Sequence, residues 1–308
     1  MKLKKTYSQK IEDLILLALK DDGLRGGLAF DSKYAKLIEE EIQYWKKSIF
    51  SKSNNDGFYE VRIPFSREKF FWPEKSYGKL DSQCFFSFLE LGVWLTYIAS
   101  PSKRLFWDVG SHHGVDTLVM HSLVKDASVI SFEPEPENCC EFRSTRNYNL
   151  KNNIKNNTLL VEAGLSDKWG ICDFIRVKGN TTANHIKGNR NFHGEIDNLT
   201  VQIIPHSCFK YPEFMKINIE GHEKILVPSL PAKITHTCDI IIEIHSEEDM
   251  NKVYEYANKN KIKIFTQSSG YRRVECFENL PKSNREGYVL LSSKESENYL
   301  DLVNFNFK

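Results

Sequence analysis

The stretch Leu105-Phe-Trp-Asp-Val-Gly-Ser-His-His-Gly-Val-Asp-Thr117 decides the fold. An apolar strand runs into an acid, and two glycines follow in the spacing D-x-G-x-x-x-G. Gly110 permits a sharp turn with positive φ, Gly114 permits close approach of backbone to a ligand, and Asp108 places a carboxylate at the C-terminal lip of the strand. Val115, Leu118, Val119, Ser122 and Leu123 then recur at helical spacing, so the unpaired N–H groups of a helix N-terminus point at the same crevice. Strand, glycine turn and helix in this order form the opening unit of an α/β sheet with room for a nucleoside at its strand tips.

Ser128-Val-Ile-Ser-Phe-Glu133 reads as a second strand ending in an acid, at the position of the ribose-binding carboxylate of a doubly wound fold. Pro134 stops it, and Pro136 opens the next helix. The dinucleotide fingerprint G-x-G-x-x-G is absent, so little cradles a pyrophosphate, and a nucleoside without phosphates fits better. Beyond Leu105, strands are expected at 104–109, 128–133, 158–164, 213–219, 238–244, 262–267 and 286–292, with helices near 115–125, 136–151, 221–228 and 247–260. Alternation of this kind gives a mostly parallel sheet covered on both faces. Residues 168–212 interrupt it as an insertion, with β-like runs at 172–177 and 199–204 around a polar loop, 179–198, that reads as mobile.

Two strands carry charge where a core strand normally does not. In Phe214-Met-Lys-Ile-Asn-Ile-Glu220, period-two alternation sets Lys216, Asn218 and Glu220 on one face; in Asp239-Ile-Ile-Ile-Glu-Ile-His245 it sets Glu243 and His245 together with Ile241. Buried charge is costly unless paired, so Lys216 is expected to meet Glu243 or Glu220 around a polar pocket at the strand ends. Trp107 reads as core.

Several blocks then fall in a familiar order: D-V-G-x-x-x-G at 108–114, F-E-P-x-P-E-N at 132–138, Asn149 and Asn153 in N-L-K-N-N, A-G-L-S-D at 163–167, M-K-I-N-I-E-G-H-E at 215–223 and I-E-I-H at 242–245. Over roughly residues 104–292 the chain resembles the FkbM family of S-adenosylmethionine-dependent methyltransferases. The family commonly reads K-I-D-V-E-G where this chain has Asn218, which removes one negative charge. The resemblance implies a class I methyltransferase fold, a Rossmann-like doubly wound sheet with an antiparallel closing strand. It implies S-adenosylmethionine as cofactor and methyl transfer to a hydroxyl of a sugar, glycan or similar small natural product.

That cofactor gives the candidate residues their roles. Asp108, Gly110, Ser111 and Gly114 would hold the methionine part, Glu133 and Pro134 the ribose, and Ala163 to Ser166 the adenine border. Glu220 would accept a hydrogen bond from the cofactor's amino group or from the acceptor, with Lys216 beside it. His245, whose titration range suits proton transfer, is the candidate base. His112, His113, Thr181, Thr182 and Asn184 are candidates for holding the acceptor. No metal is expected, since no helical H-x-x-x-H or comparable spacing occurs. A nicotinamide-dependent oxidoreductase uses a similar sheet, but the missing third glycine opposes it; a degenerate cofactor-binding scaffold is the other alternative.

Lys+Arg at 42 against Asp+Glu at 41 leaves a net charge of +1, without the basic excess of a chain that grips nucleic acid through phosphates. Seven cysteines without C-x-x-C point away from a disulfide or zinc framework and toward a reducing cytoplasm. Leu14 to Leu19 superficially imitates a signal sequence, but Glu12, Asp13 and Lys20 interrupt the apolar run, and no stretch approaches the ~20 apolar residues of a membrane span. Residues 1–103 read as a mainly helical extension that covers the acceptor site or supports a homodimer, ahead of a methyltransferase domain at 104–308. The extension holds amphipathic helices around Ile11–Ala18 and Tyr34–Trp45, a turn at 21–27, a strand at 58–65 and an apolar helix at 84–99.

Overall fold

The computed structural model describes residues 6–20, 28–66, 68–76, 104–124, 126–154, 157–189 and 194–302. The turn at 21–27 and the apolar helix at 84–99 lie outside these residues. The chain begins with α1 (Tyr7–Lys20), α2 (Lys33–Ile49), β1 (Phe58–Val61) and β2 (Phe70–Pro73). The α/β unit follows with β3 (Leu105–Val109), α3 (Val115–Leu123), β4 (Ser128–Phe132), α4 (Pro136–Lys151) and β5 (Asn157–Val161). Next come β6 (Gly164–Ser166), β7 (Gly170–Val177), β8 (His185–Ile186) and β9 (Ile196–Pro205). The remainder is β10 (Phe214–Ile217), α5 (Glu223–Ser229), β11 (Asp239–Glu243), α6 (Glu247–Lys259), β12 (Lys263–Thr266), β13 (Arg272–Arg273) and β14 (Tyr288–Ser292).

The main sheet has the order β5-β4-β3-β10-β11-β14-β12-β13. Strands β5 to β11 in this order run parallel; β14 is antiparallel to both β11 and β12. The order turns at the β3/β10 junction, where the connections leaving these two parallel strands run to opposite sides of the sheet and open a crevice at the strands' C-terminal ends. Period-two alternation divides the strand residues between two cores. Phe106, Phe214, Ile241 and Leu290 join one core, and Trp107, Val109, Met215, Ile217, Ile240, Ile242, Val289 and Leu291 join the other. Trp107 is fully buried against Phe132, Phe209 and Tyr211.

The first core is continuous with the N-terminal segment: Ile11, Ile15, Ile38, Ile42, Trp45 and Trp72 pack in the same cluster as Leu118, Val119 and Phe106. The short strand expected at 58–65 forms over Phe58–Val61 as half of an antiparallel pair with β2, Phe70–Pro73, for which the sequence reading has no strand. Asn149 pins this pair to α4. Its amide accepts from the Phe71 N–H (2.8 Å) and donates to the Phe71 carbonyl (2.9 Å) and the Thr145 carbonyl (2.9 Å), so every polar atom of a buried side chain is used.

The third strand ends earlier than its sequence suggests. β5 stops at Val161, and Gly164–Ser166 turns away as β6 into a second, four-stranded sheet of order β6-β9-β7-β8. The insertion therefore is a sheet with its own pairings, β7 and β9 matching residue for residue from Gly170/Ile203 to Val177/Ile196. The loop expected to be mobile contains a 3-10 turn at Thr181–Ala183 and the short strand β8. Among the described residues, no helix is long and apolar enough to cross a membrane.

Replacing Asn149 with alanine strands the Phe71 N–H and C=O at a buried junction, and urea denaturation is expected to show a loss of about 2–4 kcal/mol. A loss under 0.5 kcal/mol would show that the β1/β2 pair is held by other contacts.

Candidate functional site

The two glycines are required for different reasons. Gly110 has φ +77°, and a β-carbon there would sit 1.7 Å from the Asn218 carbonyl oxygen, so the turn after β3 lies directly against the chain leaving β10. Gly114 has φ +83° and is the N-cap of α3, but a β-carbon on it would strike the Phe142 ring at 2.4 Å. Its small size thus serves the packing of α4 on the turn.

Register then builds a polar layer across the strand tips. Asp108 stands opposite Lys216 on β10 and opposite Ser131 on β4. The Thr117 hydroxyl donates to Asp108 Oδ2 (2.7 Å) and lies 2.8 Å from Ser131 Oγ. Lys216 Nζ is 3.4 Å from Asp108 Oδ1 and 3.3 Å from Asp116 Oδ2, and donates to the Gly110 carbonyl at 2.9 Å. The sequence reading had matched Lys216 with Glu243 or Glu220; these ion pairs instead join it to β3 and α3, because Asp108 is its in-register neighbour. Burial pushes the Asp116 carboxyl above its ordinary range, and the Lys216 ammonium pulls it partly back.

Glu133 closes the tip of β4. Its Oε2 accepts the His112 N–H (2.8 Å), and its Oε1 accepts the Glu135 N–H (3.0 Å) and the Asn138 amide (3.1 Å). Burial pushes its carboxyl up to about 7 despite these three donors. Glu135, fully buried, caps α4 by accepting the Asn138 N–H and pairs with Arg176 of the insertion, tying the second sheet to the first.

At the tip of β10 the chain makes a tight turn in which Glu220 adopts φ +55°. Glu223 holds this turn from behind, its two oxygens accepting the Ile219 N–H (2.8 Å) and the Gly221 N–H (2.7 Å). Burial raises the Glu223 carboxyl, but His245 together with the backbone N–H donors of the turn outweighs it, and the net shift is downward. Glu243 at the tip of β11 is raised by burial, with His245 opposing.

These tips surround a cavity of about 390 Å³, within the range of about 300–1,000 Å³ usual for small-molecule sites. Of the residues singled out from sequence, Gly110, Ser111, His112, Glu133, Pro134, Thr181, Thr182, Asn184, Lys216 and Glu220 line it. Asp108, Gly114, His113, Ala163, Ser166 and His245 stand behind the wall: Asp108 in the Thr117–Lys216 layer, His113 stacked on His112 at 3.8 Å, Ser166 3.1 Å from His222 Nε2. The insertion reaches the cavity through His112, whose Nε2 lies 3.0 Å from Thr181 Oγ1. No described residue before Gly110 lines it; the described N-terminal residues pack instead on the first core.

Asp116, Asn138, His222 and Tyr288 also line the cavity without having been singled out as wall residues, and Glu243, expected with Lys216 around a polar pocket, lines it as well. Asn138 and His222 fall inside the quoted blocks, F-E-P-x-P-E-N and E-G-H-E, just beyond the acids Glu133 and Glu220 that mark the two strand tips. Burial lowers the His222 imidazole below its ordinary value. Among the described residues, buried polar atoms on the wall without a hydrogen-bond partner include Ser111 Oγ, Asn138 Oδ1 and Asn218 Oδ1, together with Asp116 Oδ1 and Asn184 Nδ2. Orphaned groups of this kind in a cavity are positions for a polar ligand.

A family described as Methyltransferase FkbM domain matches residues 108–273, more than half of the chain. No curated protein matches the sequence. Among solved structures, the chain is similar to Methyltransferase FkbM from Methylobacillus flagellatus KT (13% identity, 89% of this chain and 64% of that one, TM-score 0.41). It is also similar to a precorrin-6y C5,15-methyltransferase from Geobacter metallireducens (12% identity, 57% of this chain and 74% of that one, TM-score 0.36). A third is P. horikoshii TYW2 (11% identity, 92% of this chain and 97% of that one, TM-score 0.38).

The raised Glu133 carboxyl has a consequence for stability. The folded chain keeps its proton up to about pH 7, whereas an unfolded glutamate ionises near 4.5, so the folded state binds the extra proton and stability falls as pH rises through that window. Relative to Glu133→Gln, which has no titration, the wild type is expected to lose roughly 2–3 kcal/mol between pH 5 and pH 8 in urea unfolding. Parallel pH profiles for the two chains would contradict this.

Proposed function

We propose, from the premise that this chain belongs to the FkbM family of S-adenosylmethionine-dependent methyltransferases, that it transfers the methyl group to a hydroxyl of a neutral sugar, glycan or similar polyhydroxylated small molecule. The methyltransferase family replaces the nicotinamide alternative. The observation that carries the reading is the set of orphaned polar atoms on the wall, Ser111 Oγ, Asn138 Oδ1 and Asn218 Oδ1, beside the Glu133 carboxylate. They fit a ligand with several hydrogen-bonding groups and no phosphate.

In this arrangement Glu133 takes the ribose hydroxyls, since a carboxylate with two oxygens suits a diol. Gly164, Leu165, Phe132 and Pro134 supply an apolar border for the adenine. The turn Gly110–His112 and Asn218 receive the methionine end. Asp108, Gly114 and Lys216 act from behind or beside it by fixing that turn against β10. When bound, the cofactor supplies an electrophilic methyl group on a positively charged sulfur.

The acceptor side is built from His112, Asn180, Thr181, Thr182, Asn184 and Asn284, hydroxyls and amides with a single imidazole among them. Asn184 already uses Oδ1 on the Val177 N–H, and its buried Nδ2 is without a partner. Uncharged donors and acceptors of this kind recognise hydroxyls, while Asp116, Glu220 and Glu243, which also line the cavity, disfavour anionic acceptors. Positioning supplies much of the rate in such a displacement, with the attacking oxygen held in line with methyl and sulfur.

With methyl-labelled S-adenosylmethionine and a panel of neutral, amino and uronic saccharides, label is expected on a hydroxyl of a neutral member. Thr181→Val and Asn184→Ala are each expected to raise the acceptor KM about 5–10-fold, the loss of one hydrogen bond, with cofactor affinity unchanged. Label appearing on nitrogen or carbon alone would remove the proposal.

A further inference from the structure

His245 was read from sequence as a base, yet its side chain is 1% exposed and stands behind the cavity wall. It leaves the end of β11 just before Ser246, which caps α6 by accepting the Asp249 N–H. Its Nε2 lies 3.3 Å from Glu220 Oε1, its Nδ1 3.2 Å from Glu223 Oε1, and Glu243 Oε2 is 3.9 Å from Nε2. Glu223 cannot swing away, because both of its oxygens are engaged by the backbone of the 219–221 turn.

The charges around this imidazole come from every neighbouring element. Glu220 and Glu223 approach from the β10 turn and α5, Glu243 from its own strand and Asp249 from α6. The nearest cations are shared with other acids: Lys216 pairs with Asp108 and Asp116 while also favouring the Glu243 anion, and Lys224 pairs with Glu248 while also favouring the Asp249 anion. A neutral imidazole would set a lone pair beside one of its two flanking carboxylates, at 3.2 or 3.3 Å, whereas an imidazolium sets positive charge beside both.

We propose that His245 is a positioning residue, an imidazolium clamped between Glu223 and Glu220 that holds Glu220 as a fixed anion at the cavity wall, set to receive the cationic amino end of the methyl donor. The assignment of Glu220 to that group rests on the methyltransferase reading; the charge state of His245 does not. An imidazolium beside Glu220 lowers that carboxylate's appetite for a proton, which suits a cation-holding acid better than a base. It also accounts for a non-glycine residue at φ +55° in the turn: the strained backbone is fastened from both sides by Glu223.

The test is nitrogen NMR on protein labelled at histidine, with the His245 signals assigned by their loss in His245→Asn. At pH 7.5 both ring nitrogens of His245 are expected in the protonated range, and in Glu223→Gln and Glu220→Gln the deprotonation midpoint is expected to move down by about 1–3 pH units. One unprotonated ring nitrogen in the wild type at pH 7.5 overturns the clamp. Calorimetry with S-adenosylhomocysteine separates the two layers. A loss of affinity of roughly tenfold or more in Glu220→Gln supports the role given to Glu220, and unchanged affinity overturns it. Absence of binding to the wild type removes the cofactor reading, while the NMR result still decides the clamp.

Discussion

Lys216 sits on a central strand with 5% of its side chain exposed, and its ammonium meets three groups from one continuous segment: the Asp108 carboxylate, the Gly110 carbonyl and the Asp116 carboxylate. Burying three charges is expensive, and only their mutual attraction with added hydrogen bonds makes the arrangement tolerable. The geometry that achieves this also fixes the register of β10 on β3, the path of the glycine turn and the entry of α3. The contact of Gly110 with the Asn218 carbonyl leaves no space for any other path. The crevice above these strand tips therefore follows from one satisfied cluster of charges and one missing β-carbon.

Much of this was legible because the signals are local. The D-x-G-x-x-x-G turn, the acid ending the second strand and the alternating charge of Phe214–Glu220 each depend on residues within a few positions of one another. The seven strands of the main sheet that the alternation marks all form, within one to three residues of their expected ends. The closing antiparallel arrangement of β12 and β14 was implied only by resemblance, and it is present. What the sequence concealed depends on distant partners. β2 is a strand because β1 pairs with it and Asn149 accepts and donates to it, and neither fact is visible in Phe70–Pro73 itself. β6 leaves the third strand because β9, almost forty residues later in the chain, offers it parallel pairing.

The candidate site divides along the same line. Residues whose role is set by the strand tip they occupy, Gly110, Ser111, Glu133 and Glu220, line the cavity as their position implies. His245 occupies a strand tip too, but three carboxylates surround its side chain behind the wall, and the two nearest, Glu220 and Glu223, come from the β10 turn and α5. The carboxylate pairing of Lys216 depended on knowing that β3 rather than the β11 face supplies its nearest acids, a matter of register that spacing along one strand does not encode. The insertion gained its place in the site through the Arg176–Glu135 ion pair and the His112–Thr181 contact, both tens of residues apart in sequence.

The central claim is that the crevice over β3, β4 and β10 receives the cofactor, with its walls already set by the Lys216 cluster and Glu133. Diffraction from crystals soaked with S-adenosylhomocysteine tests it most directly. The account predicts density for the nucleoside with its ribose hydroxyls on Glu133, its amino acid end over Gly110–His112 and the Lys216 contacts unchanged. A crevice without density at saturating ligand, or a nucleoside lying away from Glu133, would contradict it.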